Sequence, residues 1–210
     1  MPAGASTLRG RTLAMKYRAV PPFGRTVYFY KMEMYFIALV APEEINIQVL
    51  KWKHYMLERF ECSVALKSPA HITIVSPFWM DPLLEKQLTI SMDQFCLNQY
   101  HFPIRLKNFS CFKPRVIFVS PEKNDALQKI QKNAEDFFLA ENKFPIKVNN
   151  RPFHPHVTIA SRDLHKKAFL EAWTIFENKK YKAEWIVKDI SLLKHNKKNW
   201  DVVHTSQLNK

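Results

Sequence analysis

Two four-residue stretches, His71-Ile72-Thr73-Ile74 and His156-Val157-Thr158-Ile159, repeat one arrangement of side chains. In each, a histidine is followed two residues later by a threonine, with β-branched apolar residues between and after. An extended chain sends residues i and i+2 to one face and i+1 and i+3 to the other. Each stretch therefore reads as a strand with an aliphatic face in a core and an imidazole and a hydroxyl on the opposite surface. Two such strands across a cleft would bring two proton-transfer groups and two hydroxyl donors to one substrate group. That combination suits phosphate chemistry that needs no metal. The chain has 8 histidines. On average residue usage, two matches among them arise by chance in roughly one chain in two hundred.

Elements that could hold these strands can be read on either side. Met34–Val40 is a buried strand, and Ala41-Pro42-Glu43-Glu44 opens a helix running to about Phe60, with proline and acids in its first turn. The first motif strand spans 70–76 and stops at Pro77. A helix at 81–98 follows, then strands at 102–109 and 115–119 around a turn near Lys113-Pro114. Ser120-Pro121-Glu122 starts an amphipathic helix over 121–140. The second motif strand, 155–161, precedes a helix from Asp163, a candidate N-cap, to about Asn178. A hairpin of 183–194 and 200–208 closes the pattern. Strand, helix and motif strand thus occur twice, and the histidines stand 85 residues apart. The spacing predicts a duplicated α+β unit with pseudo-twofold symmetry.

Composition narrows the function. The chain of 210 residues has 47% hydrophobic residues, 16 Phe and 5 Trp, enough for a full core. With only 3 glycines it lacks a glycine-rich phosphate loop, so side chains must hold any phosphate. Cys62, Cys96 and Cys111 show no CxxC spacing, which suits a reducing, cytoplasmic setting. No apolar run approaches the ~20 residues of a membrane span. The formal net charge of +13 points to polyanions such as RNA or phosphorylated nucleotides. Residues 1–31, basic and free of acids, contribute Arg9, Arg11, Lys16, Arg18, Arg25 and Lys31 to it. Residues 1–33 read as a poorly ordered extension, and 34–208 as the domain.

The paired motifs, their separation and the basic character of the chain resemble the 2H phosphoesterase superfamily. The similarity is greatest to its 2′-5′ RNA ligase-like (LigT-like) and cyclic phosphodiesterase branch, and covers about residues 34–208. Tyr35-Phe36-Ile37-Ala38-Leu39, Ile190-Ser191-Leu192-Leu193 and Trp200-Asp201-Val202-Val203 add weaker likeness. The resemblance implies a bilobal α+β fold, two antiparallel sheets lining a central cleft with helices outside. It further implies metal- and cofactor-independent chemistry on 2′,3′-cyclic or 2′-5′ phosphodiesters. His71 and His156 would exchange protons, and Thr73 and Thr158 would bind the phosphate. Members often carry a basic residue soon after the second motif. Here Arg162 lies six residues beyond His156, on the same side by strand parity.

Four further residues are candidates for substrate contact: Arg115 and Arg162 for phosphate charge, Phe78 and Trp200 for stacking on a base. His154 and His156 form a His-x-His pair without the carboxylate or cysteine partners of a metal site, so no metal is expected. The substrate would be an RNA end or a small nucleotide, with no membrane and with the chain acting as a monomer. Ligation by the reverse reaction uses the same four side chains. A catalytically idle RNA-binding module, or a duplicated domain with an apolar lipid-binding cleft, are the readings from other classes.

Overall fold

The computed structural model describes residues 31–147 and 151–210, together with the backbone of 17–19 and 29–30. A short antiparallel ribbon joins β1 (Tyr17–Ala19) to β2 (Phe29–Lys31). Of the expected extension 1–33, Glu33 already belongs to the strand that opens the domain, and residues 1–16 and 20–28 lie outside the described residues.

The remaining elements fall into two similar runs. The first is β3 (Glu33–Val40), α1 (Glu43–Phe60), β4 (His71–Met80) and α2 (Glu85–Cys96). After β5 (Phe102–Phe112), the second is β6 (Val116–Pro121), α3 (Asp125–Glu141), β7 (Val157–Ala160) and α4 (Lys166–Phe176). Strands β8 (Lys182–Val187), β9 (Asp189–His195) and β10 (Trp200–Gln207) complete two antiparallel four-stranded sheets, ordered β10-β9-β3-β4 and β7-β6-β5-β8. The expected α+β duplication is present. In each sheet the motif strand, β4 or β7, is an outer strand beside the strand that opens its run.

The helices tie the halves together. Helix α1 lies against β7 and α3 against β4, so each run's first helix covers the other run's motif strand. Pro42 and the acids Glu43 and Glu44 start α1, and Ile45, Val49, Trp52, Lys53 and Met56 form its buried face at helical spacing. Its end is a left-handed turn at Glu61, whose N–H and that of Cys62 reach back to Leu57 and Met56 carbonyls. Tyr35, Ile37, Leu39, Ile72 and Ile74 from one sheet share a single core with Leu106, Ile117, Val119, Val157 and Ile159 from the other.

Some ends shift by a few residues: β7 covers 157–160 of the expected 155–161, so His156 stands just before it, α2 covers 85–96 of 81–98, and β5 runs on to Phe112. Four boundaries differ for a local reason. Strand β4 does not stop at Pro77 but runs to Met80. The ladder to β3 is irregular between Tyr35 and Ile37, where Tyr35 faces Phe78 and Ile37 faces Val75. The proline sits at that bulge on an outer strand, where its missing N–H breaks no ladder bond. The helix expected from Ser120-Pro121 starts later, because β6 runs through Pro121 and the Asn124 side chain caps α3 by accepting from Leu127 N–H at 3.0 Å. Asp163 does not cap α4, which begins at Lys166 after His165. Its carboxylate instead accepts N–H bonds from Ser63 (2.7 Å) and Val64 (2.9 Å), capping a segment of the other half. Finally, 183–194 is two strands in different sheets, parted at Lys188. Leu208 N–H closes on the Lys188 carbonyl at 2.8 Å. Next to it, Asn209 pairs with the 99–101 crossing, donating to Gln99 carbonyl (2.8 Å) and accepting from His101 N–H (2.9 Å). No helix of the described residues is long and apolar enough to cross a membrane.

Candidate active site

The two motif strands meet as the outer edges of the two sheets, β4 against β7. Alternation holds in both: Ile72, Ile74, Val157 and Ile159 are buried, while His71, Thr73, His156 and Thr158 are half-buried on the cleft side. Two open cavities adjoin along this line. One, of about 420 Å³, is lined by His71, Thr73, Thr158, Ser68, Lys67, Arg162, His195 and Trp200. The other, of about 410 Å³, is lined by Thr73, His156, Ser76, Phe112, Gln131, Lys147, Arg151 and Phe153. Thr73 borders both, so the cavities adjoin there as a groove, with His71, Thr73 and Thr158 along one part and Thr73 and His156 along the other.

The imidazoles are held alike. Nδ1 of His71 lies 2.7 Å from the Pro69 carbonyl, and Nδ1 of His156 lies 2.7 Å from the His154 carbonyl. A carbonyl can only accept, so each Nδ1 carries a hydrogen and each Nε2 is the atom that gains or loses a proton. In both cases the acceptor is the residue two before the histidine. A proline within that approach, Pro69 or Pro155, restrains the backbone there. Each ring also packs on a phenylalanine of the neighbouring strand: His71 on Phe36 at 4.9 Å between centroids, His156 on Phe118 at 5.3 Å. Phe36 and Phe118 are themselves buried, so each imidazole rests against an aromatic ring that is held in place by its own packing.

Burial sets the proton affinity of both rings. It pushes His71 down to about 4, partly opposed by the Pro69 carbonyl and reinforced by the charges of Lys53 and His156. His156 is also lowered, chiefly by burial, with the His154 carbonyl opposing. His71 thus feels the charge of His156 across the groove. A pair of neutral imidazoles with fixed tautomers, flanked by two hydroxyls, can pass protons to and from a phosphodiester bound between them. Among the described residues no group of three His, Cys, Asp or Glu side chains could hold a metal ion.

The other candidates separate clearly. Arg162 lines the first cavity, brought there by a left-handed turn (φ 36°) after β7 has ended rather than by strand parity. Trp200 lines it too, edge-on to Phe36 (4.6 Å) and His195 (4.9 Å). Phe78 does not reach the groove: it is in the core, 6.2 Å from Tyr35, on the same face of β4 as Ile72 and Ile74 and opposite to His71 and Thr73. Arg115 is exposed in the β5–β6 turn and lines neither cavity. Sequence reasoning missed Lys67, His195, Phe112, Gln131, Lys147, Arg151 and Phe153, which lie in loops and other elements without a motif. His195 accepts from Lys197 N–H through Nδ1 (3.2 Å), so its Nε2 carries the ring hydrogen and can donate into the cavity.

Comparison with known proteins gives this arrangement a family. The model of the 2′-5′ RNA ligase superfamily matches residues 41–199, which include both motifs. The chain belongs to the 2′-5′ RNA ligase superfamily. Among curated relatives of this superfamily member, the RNA 2′,3′-cyclic phosphodiesterase of Bacillus subtilis (strain 168) is 28% identical over 96 residues, 44% of this chain and 51% of that protein. The chain thus spans about half the length of the curated relative it matches. The fold is that of E. coli LigT complexed with 3′-AMP (TM-score 0.61, 17% identity, 86% of this chain and 100% of that one). A protein of Thermus thermophilus shares it as well (TM-score 0.60, 16% identity, 83% and 97%).

Proposed function

We propose that this superfamily member is a metal-independent phosphodiesterase that acts on 2′,3′-cyclic phosphates or 2′-5′ linkages of RNA ends or small nucleotides. The observation that carries the reading is the matched pair of imidazoles, each with Nδ1–H committed to a carbonyl and Nε2 left for the substrate. The names of the relatives, a cyclic phosphodiesterase and a LigT complexed with 3′-AMP, support this substrate class.

The chemistry divides between the rings. His71, the more strongly held neutral, takes a proton from the attacking water through Nε2. Water oxygen bonds to phosphorus while one ribose oxygen leaves, and protonated His156 supplies the proton that oxygen needs. Phosphate negative charge in the groove favours the protonated ring and offsets the cost of its burial. Thr73 and Thr158 donate hydroxyl hydrogen bonds to the non-bridging oxygens as charge builds there. When a hydroxyl of a second strand takes the place of water, the same displacement joins the strands: its oxygen bonds to phosphorus, one ribose oxygen of the cyclic phosphate leaves, and the two rings handle the same two protons. Arg162 and Lys67 neutralise phosphate and Trp200 offers a face to a base. Every group comes from one chain, so a monomer suffices.

The test is turnover of 2′,3′-cyclic mononucleotides, 2′-5′ oligoadenylate and cyclic-phosphate-ended RNA in the presence of EDTA. His71→Ala and His156→Ala should each lower kcat by roughly 10²–10⁴ while the chain stays folded. Near-full activity in either variant, or binding of oligonucleotides with no turnover by the unaltered chain, refutes the proposal.

A further inference from the structure

Helix α1 carries a lysine where its buried face should be apolar. Lys53 is 2% exposed, on the same stripe as Val49, Trp52 and Met56. It forms no ion pair among the described residues; its ammonium donates instead to the Ser68 carbonyl at 2.8 Å. Burying an ammonium without a carboxylate is costly, and a helix with no use for it would carry leucine or methionine there.

The site it bonds is informative. Ser68, Pro69 and Ala70 are the three residues before His71, and the Pro69 carbonyl between them fixes the His71 ring. Ala70 N–H donates to the Asn46 side chain at 2.9 Å, and Ala70 carbonyl accepts from Ala41 N–H at 2.8 Å. Asn46 and Lys53 are seven residues apart, two turns along one face of α1. The approach to His71 is therefore clamped at both ends by the helix, with the imidazole's acceptor in the middle.

From this we infer that Lys53 is a positioning residue for His71, holding the Ser68–Ala70 segment whose carbonyl sets the ring. The inference rests on reading His71 as the proton-transfer group. The lysine has a second effect through its charge, since a buried cation beneath the segment disfavours a proton on the imidazole above. The other groups around the ring are Lys67 ahead of β4, His156 just before β7, Arg162 after it and His195 on β9. Glu135 on α3 lines the adjoining cavity. Among the described residues nothing equivalent to Lys53 acts on His156, whose proton affinity is set by burial and His154. Two rings with the same backbone geometry thus differ first in burial and then in the charge beside them, Lys53 for His71 and His154 for His156. Burial brings Lys53 itself down to about 8, so it is still mostly charged at neutral pH.

The experiment replaces the lysine and follows the ring directly. Lys53→Met fits the apolar stripe, and Lys53→Gln keeps a donor for Ser68 without the charge. Both are read by NMR titration of the His71 imidazole and by kcat and KM against pH for a 2′,3′-cyclic nucleotide. In Lys53→Met the His71 titration should move up toward 6.5. Its kcat should fall roughly 10–100-fold with KM changed by less than about twofold, and the acid limb of the rate profile should follow the ring upward. Lys53→Gln should shift the titration with a smaller loss of kcat. A folded Lys53→Met variant whose His71 ring keeps both its chemical shifts and its titration overturns the inference, including when activity falls. Because the titration needs no turnover, it stands apart from failure of the phosphodiesterase reading, which His71→Ala tests.

Discussion

Holding His71 neutral in the folded chain has a measurable cost in acid. The unfolded imidazole takes up a proton near 6.5, whereas the folded one does so only at about 4. Between those values the unfolded state binds the extra proton and the folded state does not, so stability must fall as pH drops through this window. Each tenfold difference in proton affinity is worth about 1.4 kcal/mol, which gives a loss of about 3 kcal/mol by pH 4. Other groups titrate over the same range, and the comparison must therefore be with a variant. His71→Asn is suitable because its side-chain amide can keep the donation to the Pro69 carbonyl while removing the titrating nitrogen. Urea unfolding of both proteins at intervals from pH 7.5 to 4 should show the unaltered chain losing stability more steeply, with the gap opening below about pH 6.5. Parallel curves would mean that the ring ionises freely in the folded chain, and the account of burial as the dominant influence on it would be wrong.

Three other outcomes follow from the geometry of the groove. Thr158→Val, which removes a hydroxyl and little volume, should lower kcat by about 10²–10³ with unfolding stability nearly unchanged, measured by steady-state kinetics beside denaturant melts. Trp200→Ala should raise KM for a cyclic nucleotide by the roughly 1–3 kcal/mol of a lost stacking face, while Arg115→Ala, outside both cavities, should leave kcat/KM where it was.

The motifs were legible in the sequence because a period of two places chemistry on one face and aliphatic anchors on the other, and burial of Ile72, Ile74, Val157 and Ile159 follows that rule. The duplicated order of elements was readable for the same reason. What escaped was set by contacts distant in sequence. Pro77 looked like a strand end until the bulge opposite Tyr35 and Ile37 made room for it. Asp163 looked like a helix cap, yet the N–H groups it accepts from are far earlier in the chain, at Ser63 and Val64. The break at Lys188 did leave a trace. Lys182–Val187 alternates in exposure, as an outer strand does, whereas Ile190–Leu193 is buried throughout, as a central strand is. Lys53 looked like an ordinary helical lysine, since nothing local marks a cation as buried.

Leu208 and Asn209 hold both places where the polypeptide passes from one sheet to the other, at Lys188 and at 99–101. Each crossing is a natural pivot, and here both pivots are locked by the same two residues. One short segment near the end of the described chain thus ties the two sheets to each other at both of their covalent connections. A truncation that removes Leu208 and Asn209 would release both connections at once, far in sequence from either histidine.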